Sequence, residues 1–270
     1  MGHTVGYMKF VKYQGAGNDF VLIDNRKGDF PVIGSKNEIQ KICNRHFGIG
    51  ADGLILLETD SKYDFKMVYY NSDGRESTMC GNGGRCIVAF ARDIGLIVNA
   101  CRFLAIDGTH EALIRKDWVE LKMIDVSGIT RIGKDFFIET GSPHYIRIMN
   151  SITELEQLDV RTTGAAIRNG DIFGPRGGTN VNFISFEKDH IAMRTFERGV
   201  EDETLACGTG VTAVAILAAH LAKSTGNQMS KVKTLGAELE VSYEQLSDSK
   251  FTQVWLKGPA KKVFEGVIEL

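Results

Sequence analysis

Short apolar runs, many of them alternating with polar residues, recur along most of the chain with the period of two that marks strands. Lys9–Asp24, KFVKYQGAGNDFVLID, reads as two strands around a Gly-Ala-Gly turn. Further strand signatures cover Leu54–Glu58, Phe65–Asn71, Ala112–Ile114, Trp118–Met123, Phe136–Thr140, Tyr145–Met149, Val181–Phe186, Ile191–Phe196, Glu238–Tyr243 and Thr252–Leu256. Helical spacing appears in Lys36–Asn44, Gly83–Ile94, Ser151–Leu158 and Gly210–Lys223, with Ser35 and Ser151 placed as N-caps. Strand signatures clearly outnumber helical ones, so the pattern predicts a mixed α/β (α+β) fold with much antiparallel pairing.

The pattern also repeats. The chain reads FKMVYYNSDGRESTMCGNGGRCIVAFARDIG around Cys80 and IAMRTFERGVEDETLACGTGVTAVAILAAHL around Cys207. A displacement of 127 residues lays Glu76 on Glu203, Cys80 on Cys207, Gly81 on Gly208 and Gly83 on Gly210. It also lays the strand Phe65–Tyr70 on Ala192–Glu197, and each following helix on the other. Because 127 is close to half of 270, the chain reads as two pseudo-symmetric α/β domains, each a strand, a loop, Cys-Gly-x-Gly and a helix. The first spans residues 1–127 and the second 128–259, divided near Asp125–Ile132, where SGITRIGKD interrupts the patterns. Residues 260–270 are expected to return to the first half as a closing strand.

Composition narrows the classes without choosing among them. With 43% hydrophobic and 24% charged residues and a formal net charge of -2, the chain is of the soluble globular type. That near-neutral balance gives no reason to expect nucleic acid or an anionic membrane surface as a partner. Glycine is abundant, 30 residues against four prolines, which calls for many tight turns or bare backbone rather than a low-complexity linker. The cysteines, Cys43, Cys80, Cys86, Cys101 and Cys207, are odd in number and form no CxxC, and the six histidines are scattered. Neither a disulfide framework nor a metal site is expected. MGHTVGYMKF lacks the pattern of a signal peptide, and Thr204–Ala222 reads as a loop and buried helix rather than a membrane span, so a cytoplasmic chain with reduced thiols is expected.

Cys80 and Cys207 each precede a glycine-rich turn that opens an apolar helix, MCGNGGRC and ACGTG. A helix start offers unpaired N–H groups and the positive end of the dipole, which favour a thiolate and bind an anion. A disulfide oxidoreductase typically uses CxxC, and a cysteine hydrolase has no use for a second matched thiol. Inversion of a stereocentre needs a base on one face of a carbon and an acid on the other, and two like thiols can exchange those roles. Amide N–H groups beside them would hold the substrate carboxylate and take up charge as the α-proton leaves. No lysine motif for pyridoxal chemistry stands out, so the expected reaction is cofactor-independent.

The residues resemble those of the diaminopimelate epimerase family over essentially the whole chain. The resemblance rests on QGAGNDF (Gln14–Phe20), RHFGIGADG (Arg45–Gly53), YNSDGRESTMCGNGGRC (Tyr70–Cys86), GSPH (Gly141–His144), GTNVNF (Gly178–Phe183) and FERGVEDETLACGTG (Phe196–Gly210). It implies that family's fold, in which each domain wraps a largely antiparallel or mixed sheet around a central helix, with the active site in the cleft between halves. It implies Cys80 and Cys207 as the acid/base pair interconverting LL- and meso-diaminopimelate on the route to lysine and peptidoglycan, and His144 and Glu197 as groups that tune the thiols. By the same resemblance the amides of Gly81, Asn82, Gly208 and Thr209 cradle the reacting carboxylate. Asn18, Asn71, Asn180, Glu197 and Arg198 recognise the rest of the substrate, and the assembly is a homodimer. Two positions depart from the pattern: Ser142 stands where the family often has Asn, and Gly53 where some members have Gln. A proline racemase-like enzyme and a redox-sensing or small-molecule-binding protein are the rival readings.

Overall fold

The structure is a computed structural model that describes residues 7–28, 30, 36–116 and 118–269. Strands β1 (Tyr7–Gly15) and β2 (Asn18–Asp24) lead into helix α1 (Lys36–Cys43), then β3 (Gly53–Glu58) and β4 (Phe65–Asn71). Helix α2 (Gly81–Asp93) follows, then β5 (Ala100–Ala105), β6 (Gly108–Arg115) and β7 (Trp118–Lys122). Next come β8 (Val126–Ser127), β9 (Ile129–Ile132), β10 (Asp135–Glu139), β11 (Pro143–Ile148), and helices α3 (Ile152–Gln157) and α4 (Val160–Asn169). The chain ends with β12 (Asn180–Phe186), β13 (Ile191–Glu197), β14 (Asp202–Thr204), α5 (Gly208–Ala222), β15 (Gly226–Lys233), β16 (Glu238–Ser247), β17 (Lys250–Pro259) and β18 (Lys261–Glu269). The mixed, strand-rich fold expected from the alternation is what forms. Ser151 caps α3, its side chain accepting the Glu154 N–H, while Ser35 lies outside the described residues.

Two compact units divide at Leu121/Lys122 and again at Gly258/Pro259, the first holding the chain up to Leu121 and from Pro259 on. In this first unit β18 and β2 flank β1 antiparallel; β2 runs parallel to β3, β3 antiparallel to β4, and β4 parallel to β5, which starts the antiparallel run β5–β6–β7. The second unit repeats that sequence of pairings. There β9 and β11 flank β10 antiparallel, β11 runs parallel to β12, β12 antiparallel to β13, β13 parallel to β15, and β15–β16–β17 is antiparallel. Parallel neighbours cannot be joined by a tight turn, so each parallel step has a helical crossover: α1 and α2 in one unit, α3 with α4 and then α5 in the other.

The second crossover of each unit is its central helix. A helix that is apolar on every side has no face to give to water. In α2 every residue from Asn82 to Ala91 is buried, and α5 buries Val211–Leu217 together with Ala219. The outer crossovers are amphipathic: Ile39, Ile42 and Cys43 of α1 pack on Val21, Ile23, Leu54, Leu56 and Val68. Val160 of α4 joins Tyr145, Phe173, Val181, Phe183 and Phe196.

Several elements left too faint a pattern to read. SGITRIGKD does not merely interrupt; it supplies β8 and β9, the latter pairing along β10. GNQMSKVK forms β15 although only Val232 is fully buried there, and α4 buries only Val160 and Gly164. Gly164 marks the closest approach of α4 to the sheet: a Cβ there would lie 2.4 Å from Phe196 Cβ and 2.6 Å from its Cγ. Gly164→Ala is therefore expected to destabilise by about 1–3 kcal/mol through overpacking, although alanine is the better helix former. Urea midpoints of the two proteins check this.

Candidate active site

In the first unit the sequence Cys-Gly-Asn-Gly-Gly begins α2 with Cys80 as N-cap, in extended backbone (φ −95°, ψ 143°), and the Gly83 N–H donates to Cys80 Sγ at 3.2 Å. Gly83 lies in close quarters: a Cβ would sit 3.2 Å from Ile55 Cδ1 and 3.3 Å from Cys80 Sγ. The β1–β2 turn, with Ala16 and Gly17 at φ 56° and 92°, delivers Asn18 to this helix start. Asn82 Nδ2 donates to Asn18 Oδ1, and Asn18 Nδ2 donates to Asp52 Oδ2 at 3.1 Å. Behind them, the fully buried Arg85 donates from Nη2 to Asn82 Oδ1 at 2.6 Å.

Asp52 is held by Arg45 at 2.7 Å, and Arg45 also binds Asp19, which pairs with Lys12 at 2.8 Å. Burial pushes the Asp19 carboxyl up, but hydrogen bonds and charge from Arg45 and Lys12 outweigh it and hold the group down to about 2. Asn71 ends β4 in a turn, its N–H donating to Arg75 O and its carbonyl accepting from Gly74, and its side chain makes no hydrogen bond among the described residues. At Gly53 a Cβ would lie 2.5 Å from Tyr70 O and 2.6 Å from Tyr69 Cε2, so a longer residue would displace that ring or strand.

In the second unit Cys207 is the N-cap of α5 (φ −114°, ψ 112°), but no side-chain capping bond forms; instead Sγ lies 3.5 Å from Thr209 Oγ1. Thr209 Oγ1 is 2.9 Å from His144 Nε2 and 3.0 Å from Ser142 Oγ, which is itself 2.9 Å from His144 Nε2. The buried Asn182 sets the polarity of this network. Its Nδ2 donates to the Tyr145 carbonyl at 3.0 Å and to His144 Nδ1 at 3.1 Å, while its Oδ1 accepts from Thr195 Oγ1. A carbonyl only accepts, so the amide cannot be reversed, and the His144 proton sits on Nε2 facing the two hydroxyls. Burial pushes His144 down to about 3, and the positive charge of Arg198 acts in the same direction, so the ring is neutral.

Asn180 stands beside this network, donating to Ser142 Oγ and Pro143 O at 3.2 Å and accepting the Arg198 N–H at 2.9 Å. The side chain of Arg198 has no ion pair among the described residues. Glu197 ends β13; burial raises its carboxyl, and a hydrogen bond from Thr204 Oγ1 at 2.9 Å opposes the rise.

Strand register makes the two sites comparable residue by residue. Phe20 pairs with Gly53 in one unit and His144 with Asn180 in the other, and Gly53 and Asn180 are 127 apart. Asn18 thus corresponds to Ser142, Phe20 to His144, Ile55 to Asn182, Asn82 to Thr209 and Arg85 to Thr212. Asn18, Asn82, Gly81 and Cys80 therefore gather at one helix start, and His144, Asn180, Thr209, Gly208 and Cys207 at the other. Sequence reasoning assigned no role to Asn182, Asp52 or Arg85, and named Ser142 only as a departure from the family pattern. A signal existed for Asn182, which alternates with Asn180 on the strand NVNFISF and is buried there. Burial pushes the Cys43 and Cys101 thiols up to about 12, and Cys86 higher still, so these three pack as protonated thiols.

Solved structures share this topology. A PhzF-family phenazine biosynthesis protein from Bacillus anthracis superposes with a TM-score of 0.80 at 13% identity, covering 98% of this chain and 100% of that one. A hydroxyproline epimerase from Agrobacterium vitis gives 0.69 at 14%, covering 98% and 93%. The fold is thus that of the diaminopimelate epimerase-like class, shared by PhzF and proline racemase-like proteins. The profile described as diaminopimelate epimerase matches residues 10–122 and 136–263. Diaminopimelate epimerase from Flavobacterium psychrophilum is 50% identical over 97% of this chain and 100% of its own length. That from Chlorobaculum tepidum is 45% identical over 95% and 99%. The chain belongs to the diaminopimelate epimerase family and is an isomerase.

Proposed function

We propose that Cys80 and Cys207 are the acid–base pair that inverts one α-carbon of diaminopimelate, interconverting the LL and meso forms in lysine and peptidoglycan precursor synthesis. The observation that carries this reading is the matched pair of helix starts, each with its cysteine as N-cap 127 residues from the other. One cysteine, as thiolate, takes the α-proton; the opposite thiol gives its proton to the other face of the carbon. The proton count closes, and the reverse reaction exchanges the roles. The first amides of each helix have no acceptor within the helix, so Gly81 and Asn82 on one side and Gly208 and Thr209 on the other hold the reacting carboxylate as its charge grows.

Neutral His144 donates to Thr209 Oγ1, which leaves the threonine hydroxyl hydrogen for Cys207 Sγ, and Glu197 tunes the site from the strand end. Asn18, Asn71, Asn180, Glu197 and Arg198 recognise the substrate, with the Arg198 guanidinium, which has no ion pair among the described residues, suited to a carboxylate. A cytoplasmic enzyme is proposed as well, as the family resemblance implies; no helix among the described residues is long and apolar enough to cross a membrane. A homodimer is proposed too, since Val263, Phe264 and Val267 of β18 are exposed.

Incubating the reduced protein with LL-diaminopimelate in deuterium oxide tests the reaction. Deuterium at one α-carbon together with meso product is expected; neither exchange nor product would sink the assignment.

A further inference from the structure

Arg85 is a charge that the reaction scheme above does not use. It is fully buried on α2, five residues past Cys80, and its guanidinium makes no ion pair among the described residues. Its Nη2 donates to Asn82 Oδ1 at 2.6 Å and its Nε lies 3.4 Å from the Pro259 carbonyl, while Nη1 has no hydrogen-bond partner among the described residues. A buried, permanently charged group without a counter-charge is costly, by several kcal/mol in general terms.

The other buried or partly buried charges named on elements around α2 are paired elsewhere. Lys12 of β1 pairs with Asp19 of β2, and Arg45 with Asp19 and Asp52. Arg115 pairs with Glu120 on β6 and β7, and His110 with Asp107, which also accepts the Met79 N–H. Asp93, at the far end of α2, is held by Tyr13 and Arg92. From β3 and β4, Ile55 and Met67 face the helix start with apolar side chains.

Two thiols remain within reach of the Arg85 charge. Burial loosens the hold of Arg85 on its proton, and negative charge on Cys86 or on Cys80 acts the other way. Cys86 is fully buried and burial raises its thiol, whereas Cys80 is partly exposed and already accepts the Gly83 N–H. In the second unit the corresponding position is Thr212, whose hydroxyl donates to the Gly208 carbonyl and brings no charge.

We propose that Arg85 is a positioning residue of the Cys80 site, a fixed buried counter-charge that holds Cys80 as the resting thiolate and fixes the Asn82 amide, with no equivalent at Cys207. Resting on the two-thiol reading, it adds that the two cysteines are unlike before substrate arrives. The donor-only guanidinium at one end and the acceptor-only Asp52 carboxylate at the other force Asn82 and Asn18 to point the same way, each Nδ2 toward Asp52.

The test is site-resolved alkylation of the reduced enzyme by iodoacetamide across pH, with the Cys80 and Cys207 peptides quantified separately by mass spectrometry. It reads ionisation and not turnover, so it stands or fails apart from the substrate assignment. In the wild type the Cys80 midpoint is expected below that of Cys207. In Arg85→Met it rises by about one pH unit or more, roughly a tenfold slower Cys80 labelling at neutral pH, while the Cys207 midpoint stays. Arg85→Lys keeps the charge and should retain most of the low midpoint. An unchanged Cys80 midpoint in Arg85→Met overturns the proposal, as does an Arg85→Lys protein shifted as far as Arg85→Met. Should Arg85→Met fail to fold, the wild type still decides: a Cys80 midpoint equal to or above that of Cys207 overturns it.

Discussion

Cys80→Ser and Cys207→Ser are each expected to lower epimerisation by about 10²–10⁴-fold, the range for removing a positioned acid or base. Serine is a strong N-cap, so both helices keep their starts and the loss reports chemistry rather than unfolding. The two losses should not multiply in the double variant, because either thiol alone is insufficient for inversion. A sharper signature separates the variants. With one thiol left, that thiol can still remove a proton from the face it meets and return a solvent deuteron to the same face. Each single variant is therefore expected to exchange the α-hydrogen of one isomer with retention, and the two variants should favour opposite isomers. Proton NMR in deuterium oxide follows both exchange and inversion. Ordinary turnover in either variant would remove that cysteine from the mechanism.

What could be read from the chain follows from what is contiguous in it. MCGNGGRC and ACGTG place a cap, a close-approach glycine and an apolar helix in one stretch, so both helix starts were visible without knowing any pairing. The duplication was visible for the same reason, since strand, loop and helix keep their spacing in both halves. Asn182 was not, because its purpose depends on β12 lying between β11 and β13, where one amide meets Tyr145, His144 and Thr195. Thr209 was assigned only for its main-chain amide, whereas its hydroxyl joins His144 to Cys207. Arg85 read as one more residue of a glycine-rich motif; that it is buried on a helix with no polar face emerges only when β1, β2 and β18 close around α2. β15 failed for the opposite reason: a strand that exposes most of its side chains has little alternation to show.

Acid is expected to unfold this protein in a window that His144 defines. The ring is neutral and buried, held down to about 3 by burial and by Arg198, against about 6.5 in an unfolded chain. Between those values the unfolded state binds more protons than the native one, so stability is complete above pH 6.5 and drains away as pH falls toward 3. By pH 5 the loss from this one group is about 2 kcal/mol. Asp19 also favours the native state as an anion, but with its carboxyl held to about 2 its contribution is lost only below the ordinary carboxylate range. Glu139 and Glu197 work the other way, since burial raises both and their contribution is lost as pH rises. The His144 share is therefore isolated by difference. His144→Gln, which can still offer an N–H toward Thr209, should be less stable than the wild type at pH 8 yet fall less between pH 8 and pH 5. Urea midpoints at the two pH values measure this, and an equal fall in both proteins would show that the imidazole is not the group being protonated. The same proton matters for chemistry: once Nδ1 is protonated it can no longer accept from Asn182, and the arrangement that directs Nε2–H to Thr209, and the Thr209 hydroxyl to Cys207, loses its polarity.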